Sequence, residues 1–446
     1  MSEANDPEAD CKSRARTLDR TTSSATFADM RPLCLDVLVG AFLITALPLA
    51  AQDDWPEFRG TTGQGHANSG KLPLRWSPSE NIVWKQPVPG VGWSSPVVHR
   101  GVIYLTTALR DDAGNPTSLR TLAHDLASGR LLWNQEIFPV AAAPGKHSKN
   151  SDASPTPVVS GDQVFVHFGH LGTAALDLGG QVLWRQTGLS YSPVHGNGGS
   201  PIIVDDKLIF TCDGGSDPFV AALDTQTGAV VWRVKRDTIA KKTFSFCTPL
   251  LIQVNGQAQL ITPGSGLVSA LNPTNGQEIW RVLYGEGYSV VPRPVFGHGM
   301  VFIGTGYDRP WTYAIKVDGR GDVTDSHVAW KAVRSAPNTP SMLLVGDELY
   351  FVADNGVASC VDARSGELHW NERLGGDFSA SPLFANGRIY FTSERGRTFV
   401  VKASKQFEKL AENDLGERTL ASLAASGPSL IIRTEQHLYR IQEPTP

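Results

Sequence analysis

Eight times along the chain the same apolar strand returns, and no two copies overlap. The copies are Val102-Ile103-Tyr104-Leu105, Val164-Phe165-Val166-His167, Leu208-Ile209-Phe210-Thr211, Gln259-Leu260-Ile261-Thr262, Val301-Phe302-Ile303-Gly304, Leu349-Tyr350-Phe351-Val352, Ile389-Tyr390-Phe391-Thr392 and Leu430-Ile431-Ile432-Arg433. Most follow a polar turn such as Ser160-Gly161-Asp162. A spacing of about 40 to 50 residues is the signature of a repeat array in which each unit buries its face only against its neighbours.

Within one unit, residues 200–234, four short β-rich runs are separated by Asp, Gly and Thr-Gly signals, which predicts a four-stranded meander. The turn between its third and fourth strands recurs as Asp125…Gly129…Trp133, Asp177…Gly180…Trp184, Asp224…Gly228…Trp232, Asn272…Gly276…Trp280 and Asp362…Gly366…Trp370. The unit ending at Trp330 is stretched, and Leu410 takes the tryptophan position in the seventh. The eighth unit stops at its third strand, His437–Ile441, while an unmatched strand stands at the front, Asn81–Lys85. The expected fold class is therefore all-β: an eight-bladed β-propeller of four-stranded antiparallel blades over 81–446, closed by the N-terminal strand. Closure removes the exposed sheet edge. The tryptophans read as packing between neighbouring blades and the Asp-x-x-x-Gly turns as tight-turn chemistry rather than calcium loops.

Ahead of the repeats, residues 1–51 hold a polar stretch, Met30-Arg31, and an apolar run from Val37 to Ala51. That order predicts a signal peptide, with translation starting at Met30, and an exported protein, periplasmic or extracellular, without a transmembrane anchor in the mature chain. Residues 52–80 are expected to pack on the propeller. A net charge of -4 gives no reason to expect nucleic acid as partner. With residues 1–51 removed three cysteines remain, Cys212, Cys247 and Cys360, which cannot all pair and lie far apart in sequence, so no disulfide framework is expected.

The Ala222-Leu223-Asp224-Thr225-Gln226-Thr227-Gly228…Trp232 unit resembles the docking motif of pyrroloquinoline-quinone-type (PQQ-like) β-propellers, and the likeness runs over residues 53–446. Trp55-Pro56-Glu57-Phe58-Arg59-Gly60 resembles the Trp-Pro-x-Phe-Arg-Gly opening of exported propeller proteins common in planctomycete-type bacteria. The resemblance implies one of two roles. One is a non-catalytic binding or scaffold module, as in outer-membrane protein assembly, binding a protein partner or a small polar ligand. The alternative is a dehydrogenase of alcohols or sugars that uses PQQ with calcium, with Asp152 or another channel carboxylate as base. That family covers its quinone with a disulfide between adjacent cysteines, and this chain has no adjacent pair.

Candidate recognition residues follow from the propeller geometry, because innermost strands line the central channel. Seven of these strands begin at a proline, preceded by Ser95, Ser154, Ser200, Thr248, Arg293, Thr339 or Ser381. Arg293 breaks the run of small hydroxyls, and a guanidinium there needs a partner or an anionic ligand; Asp152 is one candidate partner. The entering loops add Trp93, Asn150, His195, Asn197, Phe246, Asn338, Phe378 and Ser379 as ligand-binding candidates at the channel mouth. His167 and His170 have ligand spacing but would not share a face, and the basic run Arg233–Lys242 reads as a solvated loop. No catalytic or metal-binding residue is assigned: the chain has no Gly-x-Ser-x-Gly, His-Glu-x-x-His or phosphate-loop motif.

Overall fold

The computed structural model describes residues 54–67, 71–142, 145–308, 310–332 and 335–444. The expected signal sequence, residues 1–51, lies outside the described residues. Among the described residues the strands form eight antiparallel sheets, spanning 97–139, 158–186, 202–235, 250–283, 295–332, 343–373, 383–414 and 424–441, here blades 1 to 8. The first strands of successive blades lie against one another around the channel. In blade 3 the four strands are Ile202–Val204, Lys207–Cys212, Phe219–Asp224 and Val230–Lys235, matching the meander read from the sequence. The ring closes as expected: Ile82–Pro87 pairs antiparallel with His437–Ile441 and supplies the missing outer strand of blade 8.

Each blade docks on the next through one repeated device. The indole N–H of Trp84, Trp133, Trp184, Trp232, Trp330 and Trp370 donates to a backbone carbonyl in the following blade, at Leu126, Leu178, Thr225, Pro273, Ala363 and Ser404, over 2.8–3.0 Å. In five of the six the ring lies against the turn glycine of that blade, at Gly129, Gly180, Gly228, Gly276 and Gly366, while Trp370 meets Phe407 edge-on at 5.2 Å. At Gly228, with φ of 71°, an added Cβ would stand 2.5 Å from the Trp184 ring. The glycine thus serves both the left-handed turn and the close approach of an aromatic face. Its aspartate holds the turn: Asp224 Oδ1 accepts from the Thr227 backbone N–H at 2.8 Å and its hydroxyl at 2.6 Å.

Two blades depart from the pattern. Trp280 donates instead to Gln259 Oε1 at 2.8 Å, and Gln259 Nε2 relays the contact to the Val317 carbonyl of blade 5 at 3.1 Å. The stretched part of blade 5 sends out Gly321–Asp322, which adds to the edge of blade 4 in parallel with Trp280-Arg281. In blade 7 the register corrects the sequence reading. A bulge pairs Val401 with Lys409 and Val400 with Ala411, so Ala411, not Leu410, stands at the tryptophan position. In the same core cluster as that small side chain sits Trp76, which is buried, stacks on Tyr390 at 6.4 Å and donates its backbone N–H to Asn413 Oδ1 at 2.9 Å.

Candidate functional site

Inner strands expose one edge to the channel, and the backbone N–H groups on that edge need acceptors. The structure meets the need at two levels. At the upper level an N–H from seven of the eight blades donates to a hydroxyl of the next: Ser95 to Thr156 (3.0 Å), Thr156 to Ser200 (2.9 Å), Ser200 to Thr248 (2.9 Å), Arg293 to Ser341 (2.9 Å), Ser341 to Ser381 (3.0 Å), Ser381 to Ser422 (2.9 Å) and Ser422 back to Ser95 (3.2 Å). At about 1 kcal/mol net for each bond, the chain of hydroxyls ties all eight blades together. Small hydroxyls were anticipated here, but two positions differ from the sequence reading. Thr156 and Ser341 occupy the ring in place of Ser154 and Thr339, and Ser422 completes it from blade 8.

Arg293 has no hydroxyl to offer, and its guanidinium does other work. Nε donates to Pro249 O at 3.0 Å, bridging to blade 4, while Nη1 reaches Glu57 at 3.1 Å and the Phe58 carbonyl. Arg293 is 2% exposed. Its carboxylate partner is therefore Glu57, from the N-terminal segment, and not Asp152. Asp152 is buried against Lys146 (3.0 Å) and Arg110 (3.4 Å). Burial pushes the Glu57 carboxyl up, and the charge and hydrogen bond of Arg293 only partly offset this. Arg59 beside it is held at about 9, by burial first and then by the charge of Arg293, and donates to the Met342 carbonyl at 2.6 Å.

The second level is the N-terminal segment itself. Trp55 pairs with Val98, the Pro56 carbonyl accepts from Val159, Gln64 Oε1 accepts from Phe296, and Gly65 O accepts from Phe384. Each inner-strand residue lies three positions past its blade's ring residue (95, 156, 293 and 381), about 10 Å further along an extended strand. Blades 1 and 2 stand across the channel from blades 5 and 6, so residues 54–67 cross the channel and stop one end of it.

What remains is a cavity of about 660 Å³ with Phe58 among its lining residues. Trp93, Asn150, His195, Phe246, Asn338 and Ser379 line it; Asp152, Asn197 and Arg293 do not. Asn197 is a buried tie, donating to Phe168 O at 2.8 Å and accepting from Tyr191 at 2.9 Å. All seven ring hydroxyls face the cavity, and the rim adds Tyr288, Tyr307, His147 and Asp354, which the sequence reading passed over. His195 meets His147 edge-on at 5.6 Å and Phe244 at 5.0 Å. Burial, then the charges of His147 and Lys242, lower its pKa. Phe378 is fully buried in the core.

Charge in the lining is sparse and engaged. Lys149 pairs with Glu394 at 2.8 Å, which also accepts from Ser379 at 2.6 Å. Asp354 accepts from the backbone N–H groups of Asn338 (2.8 Å) and Thr339 (3.2 Å) and from the Thr339 hydroxyl (2.7 Å). Asn338 Oδ1 is buried without a protein partner. Calcium takes six to eight oxygen ligands, usually with several carboxylates. The lining offers one carboxylate, already triply engaged, and among the described residues no three His, Cys, Asp or Glu side chains stand together as a metal site. Cys212, Cys247 and Cys360 are buried, unpaired thiols, with Cys247 and Cys360 pushed up to about 12 chiefly by burial. These donors do not fit a calcium–quinone pair. His167, held at about 3 chiefly by burial, bonds Thr173 at 2.8 Å and stacks on Phe210, so it is a core residue. No described helix is long and apolar enough to cross a membrane.

Known proteins share this architecture. BamB of Legionella pneumophila (strain Paris) is 28% identical over 205 residues, 44% of this chain and 48% of that protein. The quinohemoprotein alcohol dehydrogenase ADH IIB of Pseudomonas putida is 27% identical over 236 residues, 51% of this chain and 30% of that protein. The chain thus spans less than half the length of either relative. The crystal structure of BamB from Moraxella catarrhalis superposes with a TM-score of 0.57 at 13% identity, over 81% of this chain and 97% of that one, a likeness of fold. The model of the PQQ-like propeller family described as "Outer membrane protein assembly factor BamB" matches residues 76–190, 123–357 and 320–434, and the chain belongs to that family.

Proposed function

We propose that the protein is an exported, non-catalytic binding module that takes a small polar ligand or a protein segment at its channel mouth. One observation carries the reading: the cavity is walled by hydroxyls and aromatic rings, while its few charged groups are spent on structural partners. A general acid–base pair needs a free titratable group within reach of a bound substrate; Asp354 and Lys149 are both committed, so a catalytic role would have to fall to the His147 and His195 imidazoles, which face each other rather than a carboxylate. The family membership is compatible with a scaffold role, as the family's description names an assembly factor. Export is supported by the apolar run Val37–Ala51 and is tested by sequencing the N-terminus of the protein recovered outside the cytoplasm.

The test of function pits the module against the dehydrogenase. Purified full chain is supplied with pyrroloquinoline quinone and Ca²⁺, and dye reduction is followed with a panel of alcohols and sugars. No substrate-dependent reduction is expected. Saturable turnover would overturn the proposal.

A further inference from the structure

We infer that the blind cavity binds a neutral, polyhydroxylated ring, a mono- or disaccharide in chemical class. The inference rests on the binding-module reading and gives its site a ligand. Each ring hydroxyl already accepts a backbone N–H, so Ser95, Thr156, Ser200, Thr248 and Ser422 each retain a proton to donate. Acceptors line the same cavity: Asn338, whose Oδ1 has no protein partner, and the carboxylate of Asp354, which keeps one lone-pair site free. A ligand that satisfies both must donate and accept along its whole outline, which is the property of a polyol.

The alternatives fit less well. An anion would meet the Asp354 carboxylate, and the one lining ammonium, Lys149, is held by Glu394. A cation would find a single carboxylate, with three of its roughly four lone-pair sites already engaged, and no second one beside it in the lining. An apolar ligand would strand the hydroxyls and Asn338 Oδ1 away from water, each at a cost of about 1–3 kcal/mol. The rim supplies the remaining element: Trp93, Phe246, Tyr288 and Tyr307 all line the cavity, and of these the exposed Tyr307 ring, edge-to-face with Tyr288 at 5.8 Å, is the one free to meet the C–H face of a sugar ring, since Lys242 lies over Tyr288 and Arg418 over Trp93. The volume, about 660 Å³, falls in the range of small-molecule sites, roughly 300–1,000 Å³.

The experiment is calorimetric titration of the full chain, without quinone, against glucose, maltose, glucuronate and inorganic phosphate. Saturable binding of a neutral sugar is expected, with glucuronate and phosphate weaker. Asn338→Leu changes an oxygen that has no protein partner, and Tyr307→Ala changes an exposed ring, so both variants should fold; each should weaken binding about tenfold. Three results would overturn the inference: no binding of either sugar at millimolar concentration, an anion binding as tightly as the neutral sugars, or unchanged affinity in Asn338→Leu. Failure here leaves the dye-reduction result untouched, so the two proposals fail separately.

Discussion

Arg293 shows how one side chain can stand outside a repeat and still be explained by it. At its position seven other blades spend a small hydroxyl, whereas Arg293 spans to Pro249 and downward to Glu57 and Phe58. Arg293→Met leaves the Glu57 carboxylate buried without its partner, and a loss of about 3–5 kcal/mol is expected in denaturant unfolding. Adding Glu57→Gln should recover part of that loss, and an unchanged midpoint in Arg293→Met would refute the role. The sequence marked Arg293 as exceptional but could not supply its partner, 236 positions away. Short-range pattern carries no record of so distant a pairing. A second charged residue sets acid behaviour. Burial would raise Glu417, but hydrogen bonds from Lys85, Thr434, Tyr439 and His437 prevail and hold it at about 2. A folded pKa below the unfolded value gives stability that is complete above about pH 4.5 and is lost as pH falls toward 2. Glu417→Gln should flatten the dependence of melting temperature on pH in that window.

Among elements, the turn glycine and the preceding blade's tryptophan form one interlocking part, which two glycines can separate. Gly228 has both a positive φ and the Trp184 ring against it; Gly256 has a positive φ of 79° and open space. Gly256→Ala should cost about 1–2 kcal/mol for the left-handed backbone alone. Gly228→Ala should cost clearly more, because the ring must also move. Equal losses would mean that the blade interface is slack. This part was legible in the sequence because turn, glycine and tryptophan fall within a dozen residues. The hydroxyl ring was legible only in part. Ser154-Pro155-Thr156-Pro157 offers two equivalent starts, and only pairing with Ser200 selects Thr156. Ser341 and Ser422 lack the following proline that marks the other ring positions.

For the whole molecule, the closing strand Ile82–Pro87 decides whether the eight sheets are a ring or an open array. Removing residues 1–87 strips His437–Ile441 of its partner and exposes an unpaired edge, along with the Trp84 contact to Leu126. Broader unfolding with lost cooperativity and self-association on size exclusion are expected. A truncated chain that stays monomeric and melts as sharply as the full one would show that closure is dispensable. The count of strands made this seam readable in advance. The channel stopper was not readable, because Trp55 to Ala67 forms irregular backbone that carries no periodic signal.

That stopper has a kinetic meaning. With residues 54–67 lying across one end, the propeller channel is a cup rather than a pipe. Whatever enters must back out through the same opening, and a second guest cannot push the first through. A linear polymer can offer only a terminus, so its apparent affinity would scale with the number of chain ends in solution and not with the length between them.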